Sequence, residues 1–312
     1  MLGVASKAFF QTLSYSRTLK TLASRYGMSG PRAFARRFIA GETIDDAIAA
    51  VRQLQSQGLL CTLDYLGESV TSLAEADVAT REYLQLINAV DRAGVERNLS
   101  LKLTQLGLAV DRAICLDNLR KILTAAELCG FFVRIDMESS AYTDSTLDIF
   151  ETLWKLGHRN GGIVLQSCLY RTAQDFERVN ALGARIRLVK GAYREPKSVA
   201  FQQKSDVDAA YVQLAKRLLT EGTYPAIATH DEAILNEVKS FATAREIRND
   251  AYEFQMLYGI RRDLQNALRH AGFRVRVYVP FGREWFPYFM RRLGERPANV
   301  AFVVRSIFAE RL

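Results

Sequence analysis

Cysteine is scarce in this chain: four in 312 residues, at Cys61, Cys115, Cys129 and Cys168, with no CxxC pair among them. That excludes a disulfide framework and points to a reducing compartment. Histidine is scarcer, with His158, His230 and His270 the whole supply, which argues against a zinc site built mainly from imidazole. No apolar run approaches the roughly 20 residues needed to span a bilayer, so the sequence predicts a soluble globular protein. Neither G-x-G-x-x-G nor G-x-x-x-x-G-K-[ST] occurs, so the main rival fold, a doubly wound sheet, lacks its usual phosphate turn. No serine sits between nucleophile-elbow glycines. Acid is missing over the first 41 residues, which carry seven basic side chains (Lys7, Arg17, Lys20, Arg25, Arg32, Arg36 and Arg37) before Glu42 appears.

What is present is apolar material in quantity: 49% hydrophobic residues against 24% charged, enough for one large core or two smaller ones. Of the net charge of +8, the segment before Glu42 supplies +7, so the body of the chain is nearly neutral. Three readings fit that basic segment. Residues 1–28 have the composition of a mitochondrial transit peptide, of a segment drawn to an anionic membrane surface, or of a solvated helical arm. Nucleic-acid binding has no accompanying motif.

From residue 59 onward the chain keeps one rhythm. Eight β-leaning runs recur at 59–66, 99–106, 131–137, 162–167, 185–193, 225–230, 252–258 and 275–282. They are spaced about 31 residues apart, one strand plus one helix plus two loops. Ser72 with Glu75, Thr172 with Asp175 and Ser205 with Asp208 read as helix starts. Gly94, Gly130, Gly157, Gly183, Gly222 and Gly272 read as left-handed helix stops. Eight βα units predict a (β/α)8 TIM-type barrel over residues 59–312, preceded by a helical arm over 1–58.

A barrel does its chemistry at the carboxyl ends of its strands. Here those ends are polar: Asp64, Lys102 with Thr104, Asp136 with Glu138, Gln166, Arg187 with Lys190, Thr229 with His230, Gln255, and Tyr278. His158 and His270 fall at helix ends and are expected to be exposed. Lys102 or Lys190 is placed to form a Schiff base, as in barrel aldolases. After the eighth run, Arg291 and Arg292 lie in an aromatic helix with Trp285, Phe286, Tyr288 and Phe289. Two adjacent guanidinium groups suit capture of a carboxylate or phosphate. Tyr288, one of the two arginines, and Glu295 share a face of that helix.

The segments LDYLGESV (63–70), LSLKLTQLGL (99–108), IDMESSAYTD (135–144), RLVKGAYREP (187–196), IATHD (227–231), YEFQMLYG (252–259) and YVPFGREWFPYFMRRLGERPAN (278–299) stand in the order found in monofunctional proline dehydrogenases, which this chain resembles. The resemblance implies a distorted barrel holding FAD without a Rossmann domain. It also implies oxidation of L-proline to Δ1-pyrroline-5-carboxylate, electrons passing to a membrane quinone, as the first step of proline degradation to glutamate. By motif, Arg291 and Arg292 would clamp the substrate carboxylate, with Lys102 in the same charged shell and Glu68 behind it. Tyr193, Leu257, Tyr278 and Tyr288 would wall the pyrrolidine ring. Asp136 would order the charged shell, and Arg187 would lie by the flavin N5. Met137 and Gln166 would contact the isoalloxazine. Lys190, Gly191, Ala192, Thr229 and His230 would serve the ribityl and pyrophosphate groups. Arg292 would also contact the cofactor, and Glu295 would reach a ribose hydroxyl. A smaller residue at the position of Tyr278 accompanies hydroxyproline use in the family, so tyrosine implies proline. One departure is Arg194, where larger bifunctional relatives carry a tryptophan beside the adenine. From length, a separate pyrroline-5-carboxylate dehydrogenase is expected downstream. The expected location is cytoplasmic, with peripheral contact to the inner membrane through the basic arm.

Overall fold

The computed structural model describes residues 34–295; residues 1–33, most of the basic segment, and residues 296–312, including Arg296 to Asn299 of the last matching segment, lie outside the described residues. Eight parallel strands close a barrel in chain order: β1 (Leu60–Tyr65), β2 (Asn98–Leu101), β3 (Phe132–Ile135), β4 (Gly161–Gln166), β5 (Arg185–Val189), β6 (Ala226–Ala228), β7 (Glu253–Leu257) and β8 (Val275–Phe281). All eight runs contain a strand. The second is the most shortened: it leaves the sheet after Leu101 and turns through 103–110, so Thr104 and Gln105 belong to a loop. Nine α-helices are described: α1 (Ile44–Ser56), α2 (Leu73–Ala93), α3 (Arg112–Leu128), α4 (Thr143–Lys155), α5 (Thr172–Asn180), α6 (Lys204–Glu221), α7 (Glu232–Ala244), α8 (Arg262–His270) and α9 (Trp285–Glu295).

Strand side chains alternate between two faces, and here the outward face is the apolar one. Leu63, Leu99, Leu101, Val133, Ile135, Ile163, Ile186, Leu188, Ile227, Phe254, Val277 and Val279 are buried in one core with the surrounding helices. The alternate positions turn inward: Thr62, Asp64, Ser100, Arg134, Arg187, Glu253, Gln255 and Arg276 are all buried and polar. Barrel interiors of this kind are ordinarily filled by Val, Ile and Leu. This interior is hydrogen-bonded instead, as in the contact between Thr62 Oγ1 and Ser100 Oγ at 3.2 Å.

Two helices depart from a regular barrel, and both shape the mouth. α1 precedes the first strand yet packs on β8, β1 and α2, the place a helix following β8 would normally take. Ala47, Ile48, Ala50, Val51 and Leu54 are its buried face. α9, which does follow β8, instead lies across the carboxyl ends of the strands. Trp285, Phe286, Tyr288, Phe289, Met290 and Leu293 form a second apolar cluster with Phe38, Ile39, Leu66 and Ile260, and Leu257 and Tyr278 pack against it. A short 3₁₀ turn (Phe34–Arg37) crosses beside this cap. Gly259, at φ +71°, lets it pass, because a Cβ there would lie 1.6 Å from the Arg37 carbonyl oxygen.

The helix-end signals divide. Gly94, Gly130, Gly157, Gly183 and Gly272 have positive φ, whereas Gly222 is extended at φ −89°. Ser72 accepts from Glu75 N, but the Glu75 carboxylate bonds Thr71 N rather than closing the box on Ser72. Thr172 and Ser205 are not caps: α5 starts after Arg171 and α6 after Gln203, neither with a side-chain cap. Their acidic partners are taken elsewhere, Asp175 by Arg171 and Asp208 by Lys190. The complete capping box is Thr43 with Asp46 at the start of α1. His158 also departs from expectation: its side chain is only 14% exposed, with Nδ1 3.8 Å from a Glu127 carboxylate oxygen. His270 is exposed as expected. No disulfide forms among the described residues, and burial pushes the Cys61 and Cys115 thiols up to about 12.

Candidate active site

Arg187 stands at the centre of the mouth. It projects from β5 across the barrel with 4% exposure, and each of its nitrogens has a partner on another strand or strand end. Nη1 donates to Asp136 Oδ1 at 2.7 Å, Nη2 to Ser100 Oγ at 2.9 Å and Nε to Gln255 Oε1 at 2.5 Å. Asp136, one residue past β3, accepts from the Tyr278 hydroxyl at 2.8 Å through its other oxygen. Burial, with Asp136 and Asp64 facing it, lifts the Tyr278 phenol well above its ordinary value, so it remains an O–H donor. The Arg187 guanidinium carbon lies 5.4 Å from the Tyr278 ring centroid.

Lys102, one residue past β2, completes this layer. Its Nζ lies 3.4 Å from Asp64 Oδ2 and 3.8 Å from Asp136 Oδ2. Burial alone would lower its pKa. Asp64, Asp136 and Glu68 more than reverse that, so the ammonium sits above the ordinary lysine value. A Schiff-base lysine must shed its proton to attack a carbonyl, and Lys102 is held in the opposite state. Lys190 is engaged by two carboxylates, Asp208 Oδ1 at 2.6 Å and Asp231 Oδ2 at 2.9 Å. Both lysines therefore weigh against the aldolase-type alternative.

The cap brings in the tandem arginines. Arg291 Nη1 donates to Glu68 Oε1 at 2.6 Å. Burial works to raise the Glu68 carboxyl, but Arg291 and Lys102 bring it below its ordinary range. Arg292 is the arginine that shares a face with Tyr288, its Cζ lying 4.9 Å from the ring centroid. Tyr193 stands among the same charges: burial, with Glu68 and Glu138 nearby, raises its phenol. Leu257, at the end of β7, donates its N–H to His230 Nε2 at 3.0 Å, so that nitrogen carries no proton.

A rim of donors and bare backbone runs along β4 to β6. Gln166 Nε2 donates to the Glu138 carbonyl at 2.9 Å, and Glu138 is itself held by Thr104 N at 3.0 Å. Met137 is buried beside them. Gly191 has φ +112°, and a Cβ there would meet Cys168 Sγ at 2.4 Å and Gln166 Oε1 at 3.4 Å, so only glycine leaves this peptide open to an approaching group. Ala192 is exposed, and Thr229 Oγ1 accepts from Asp231 N at 3.1 Å. Burial would raise the Asp231 carboxyl, yet Lys190 and Lys204 hold it down at about 2. The side chain of Glu295 lies outside the described residues. Arg194 is exposed. This rim, lined by Lys190, Thr229, Gln166, Arg187 and an unhindered peptide at Gly191, suits a large acceptor-rich anion. Among the described residues no group of His, Cys, Asp and Glu is arranged to hold a metal ion.

Of the sequence-derived site residues, Lys102, Asp136, Arg187 and Tyr278 are joined directly, and Arg291 meets the same shell through Glu68. Ser100, Glu253 and Arg276 were missed, being read as ordinary strand residues. Their signal was the alternation itself: LSL, YEFQM and VRVYV place a polar side chain at every second position.

Comparison with known proteins agrees over nearly the whole chain. The family model described as "Proline dehydrogenase" matches residues 47–305. "Proline dehydrogenase 1" of Bacillus subtilis strain 168 is 43% identical over 298 residues, covering 96% of this chain and 97% of that protein. "Proline dehydrogenase" of Deinococcus radiodurans is 45% identical over 277 residues, covering 88% and 89%. Among solved structures, proline utilization A from Bdellovibrio bacteriovorus, inactivated by N-propargylglycine, superposes with a TM-score of 0.79 at 27% identity. That match covers 84% of this chain but only 32% of the longer protein. With the family model spanning most of its length on a barrel of the same kind, the chain belongs to the proline dehydrogenase family.

Proposed function

We propose that this proline dehydrogenase is a flavoenzyme that oxidises L-proline to Δ1-pyrroline-5-carboxylate and passes the electrons to a membrane quinone. The observation that carries the reading is the convergence of Arg187, Asp136, Tyr278 and Lys102 at the barrel mouth, where the strand of Arg187 continues within four residues to the open peptide of Gly191. Bound FAD supplies the acceptor for a hydride leaving the ring carbon next to nitrogen, on the side away from the carboxylate. Lys190, Gly191, Ala192, Thr229 and His230 would hold its ribityl and pyrophosphate groups, Met137 and Gln166 its ring, and Arg292 would also contact it.

The chain's own work is binding, orientation and charge placement. Arg291 and Arg292 clamp the proline carboxylate. Because Arg291 already bonds Glu68, an arriving carboxylate competes with Glu68 for that guanidinium. Tyr193, Leu257, Tyr278 and Tyr288 wall the ring and exclude water. The amine lone pair drives hydride departure and leaves a carbon–nitrogen double bond, so the substrate reacts as the free amine; the cations Arg187 and Lys102 favour loss of its extra proton. Arg187, held by Asp136, would place positive charge beside that acceptor.

The test is a visible spectrum of the FAD-loaded protein under anaerobic conditions. Bleaching by L-proline, with much slower bleaching by hydroxyproline as Tyr278 implies, is the expected result. Flavin that ignores proline overturns the substrate, and comparable turnover of both substrates overturns the role of Tyr278. The product, a reactive cyclic imine acid, calls for a following aldehyde-oxidising step on the way to glutamate. The seven cations before Glu42 support peripheral attachment to the cytoplasmic face of the inner membrane. Deleting residues 1–28 is expected to weaken binding to anionic vesicles and leave dye-coupled turnover unchanged. Equal vesicle binding by the truncated protein defeats that assignment.

A further inference from the structure

Beneath the mouth the barrel holds a second charged layer that the proposed reaction does not touch. Glu253, two residues before Gln255 on β7, is 2% exposed. Arg276 on β8 grips its carboxylate with two bonds, Nε to Oε1 at 2.8 Å and Nη2 to Oε2 at 3.0 Å. Arg276 is anchored in turn by the Cys61 carbonyl at 2.6 Å and by Glu96 Oε1 at 2.7 Å. The Tyr224 hydroxyl donates to Glu253 Oε2 at 3.2 Å. Burial opposes the charge on Glu253, yet Arg276 holds the carboxyl below its ordinary range, so it stands ionised. A buried ion pair is by itself weak evidence for stability, since desolvation cancels much of the attraction. This one has a further connection.

Gln255 joins the floor to the mouth. Its Nε2 donates to Glu253 Oε1, and its Oε1 accepts from Arg187 Nε at 2.5 Å. A carboxylate only accepts and a guanidinium only donates. An amide fits between them in one of its two flip states. The reverse flip would set N–H against N–H at Arg187 and oxygen against oxygen at Glu253, both in a buried setting where unmade bonds are costly. The ionised Glu253 therefore selects the flip, and the flip gives Arg187 its acceptor. Because a guanidinium is a rigid planar fork, fixing Nε also fixes the directions of Nη1 and Nη2 towards Asp136 and Ser100.

We propose that Gln255, oriented by the Glu253–Arg276 pair on the barrel floor, is a positioning residue that sets the aim of the Arg187 guanidinium at the mouth. The proposal rests on the reading of Arg187 as the cation beside the flavin.

The test uses Gln255→Leu in the FAD-loaded enzyme, which removes both bonds and keeps the bulk. Misaiming a catalytic group by about 1 Å costs up to about a hundredfold, so kcat for proline is expected to fall about tenfold to a hundredfold. KM should stay within about twofold, because the carboxylate clamp on α9 is untouched. The midpoint potential of the bound flavin, measured by dye-coupled reduction without proline, should shift, while flavin content stays near that of the parent and the thermal midpoint falls by the cost of two buried bonds. Should Gln255→Leu fail to load flavin, Gln255→Asn carries the same test, since its amide is one methylene too short to reach both neighbours. Loss of stability or flavin content alone, with kcat per bound flavin and potential unchanged, overturns the proposal. Arg187→Lys runs alongside. If it lowers kcat while Gln255→Leu does not, only the positioning role falls. If Arg187→Lys is itself without effect, the reading of Arg187 falls and takes the proposal with it.

Discussion

Arg187→Leu is expected to lower kcat for proline by about 10²–10³-fold, the usual loss when one preorganised donor to a developing charge is removed. That corresponds to about 3–4 kcal/mol of barrier. The expectation follows from how completely the guanidinium is committed: three nitrogens, three partners on β2, on β7 and just past β3, and 4% exposure. Leucine supplies bulk but no charge, leaving Asp136 with the Tyr278 hydroxyl and a more distant Lys102. Breaking one side of a buried pair also costs roughly 3–5 kcal/mol of stability. Arg187→Lys is therefore the companion variant, keeping the charge and losing the fork. Anaerobic stopped-flow of flavin reduction, normalised to bound flavin, separates slower chemistry from poorer folding. A folded, loaded Arg187→Leu that reduces its flavin within about threefold of the parent rate would contradict the role given to this cation.

The second large effect lies outside the charged layer. Trp285→Ala is expected to destabilise the protein by about 3–5 kcal/mol, the range for truncating a buried large aromatic. At about 2–4 °C per kcal/mol for a domain of this size, the thermal midpoint should fall by roughly 10 °C. Trp285 is 1% exposed and stacks edge-on with Phe286 and Phe289 at 6.0 and 5.8 Å between centroids. Its indole N–H donates to Glu42 Oε1 at 2.9 Å. It thus pins the start of α9 to the segment that runs into α1. Since α9 also carries Arg291 and Arg292, loosening it should raise KM for proline by at least about tenfold, with a smaller change in kcat. Trp285→Phe, which keeps the ring and loses the bond to Glu42, should fall between the two. Differential scanning calorimetry with steady-state kinetics reads both effects. A midpoint unchanged within about 3 °C, with KM also unchanged, would mean that the cap is held by other contacts.

The two variants act on two levels of the same site. Arg187 belongs to a polar layer that replaces the usual aliphatic filling of a barrel, and its orientation depends on bonds that run inward. Trp285 belongs to an apolar clasp that covers that layer and presents the clamp. On the proposed function, the first would govern the chemical step and the second the affinity for the carboxylate.

Much of this was legible in the chain itself, because it depends on neighbours in sequence. Strand and helix alternate with a spacing that survives inspection of residues alone, and each of the eight β-leaning runs contains a strand. Polar strand ends announce a barrel mouth, since a strand that leaves the sheet there exposes its last side chains to the cavity. The order of segments such as IDMESSAYTD and RLVKGAYREP carried the family resemblance. Local pattern failed where a tertiary partner outbid a local one. Asp208 stands three residues after Ser205 as a capping box requires, but Lys190, reaching over from the end of β5, takes its carboxylate at 2.6 Å.

Closure of the barrel decided the rest. Arg187 meets Ser100 across 87 residues of chain and Gln255 across 68, and Tyr278 meets Asp136 across 142. No local periodicity encodes those pairings; they exist because a closed sheet turns every second side chain of all eight strands towards one axis. The helix after β8 has an amphipathic sequence that would serve equally well on the barrel wall. It lies across the mouth because α1 already occupies the wall beside β8 and β1. By itself the sequence determined which residues are polar and which segments hold strands, since these follow from short-range alternation. Only the tertiary structure decided which charge faces which, because desolvated partners are chosen by distance across the barrel rather than along the chain.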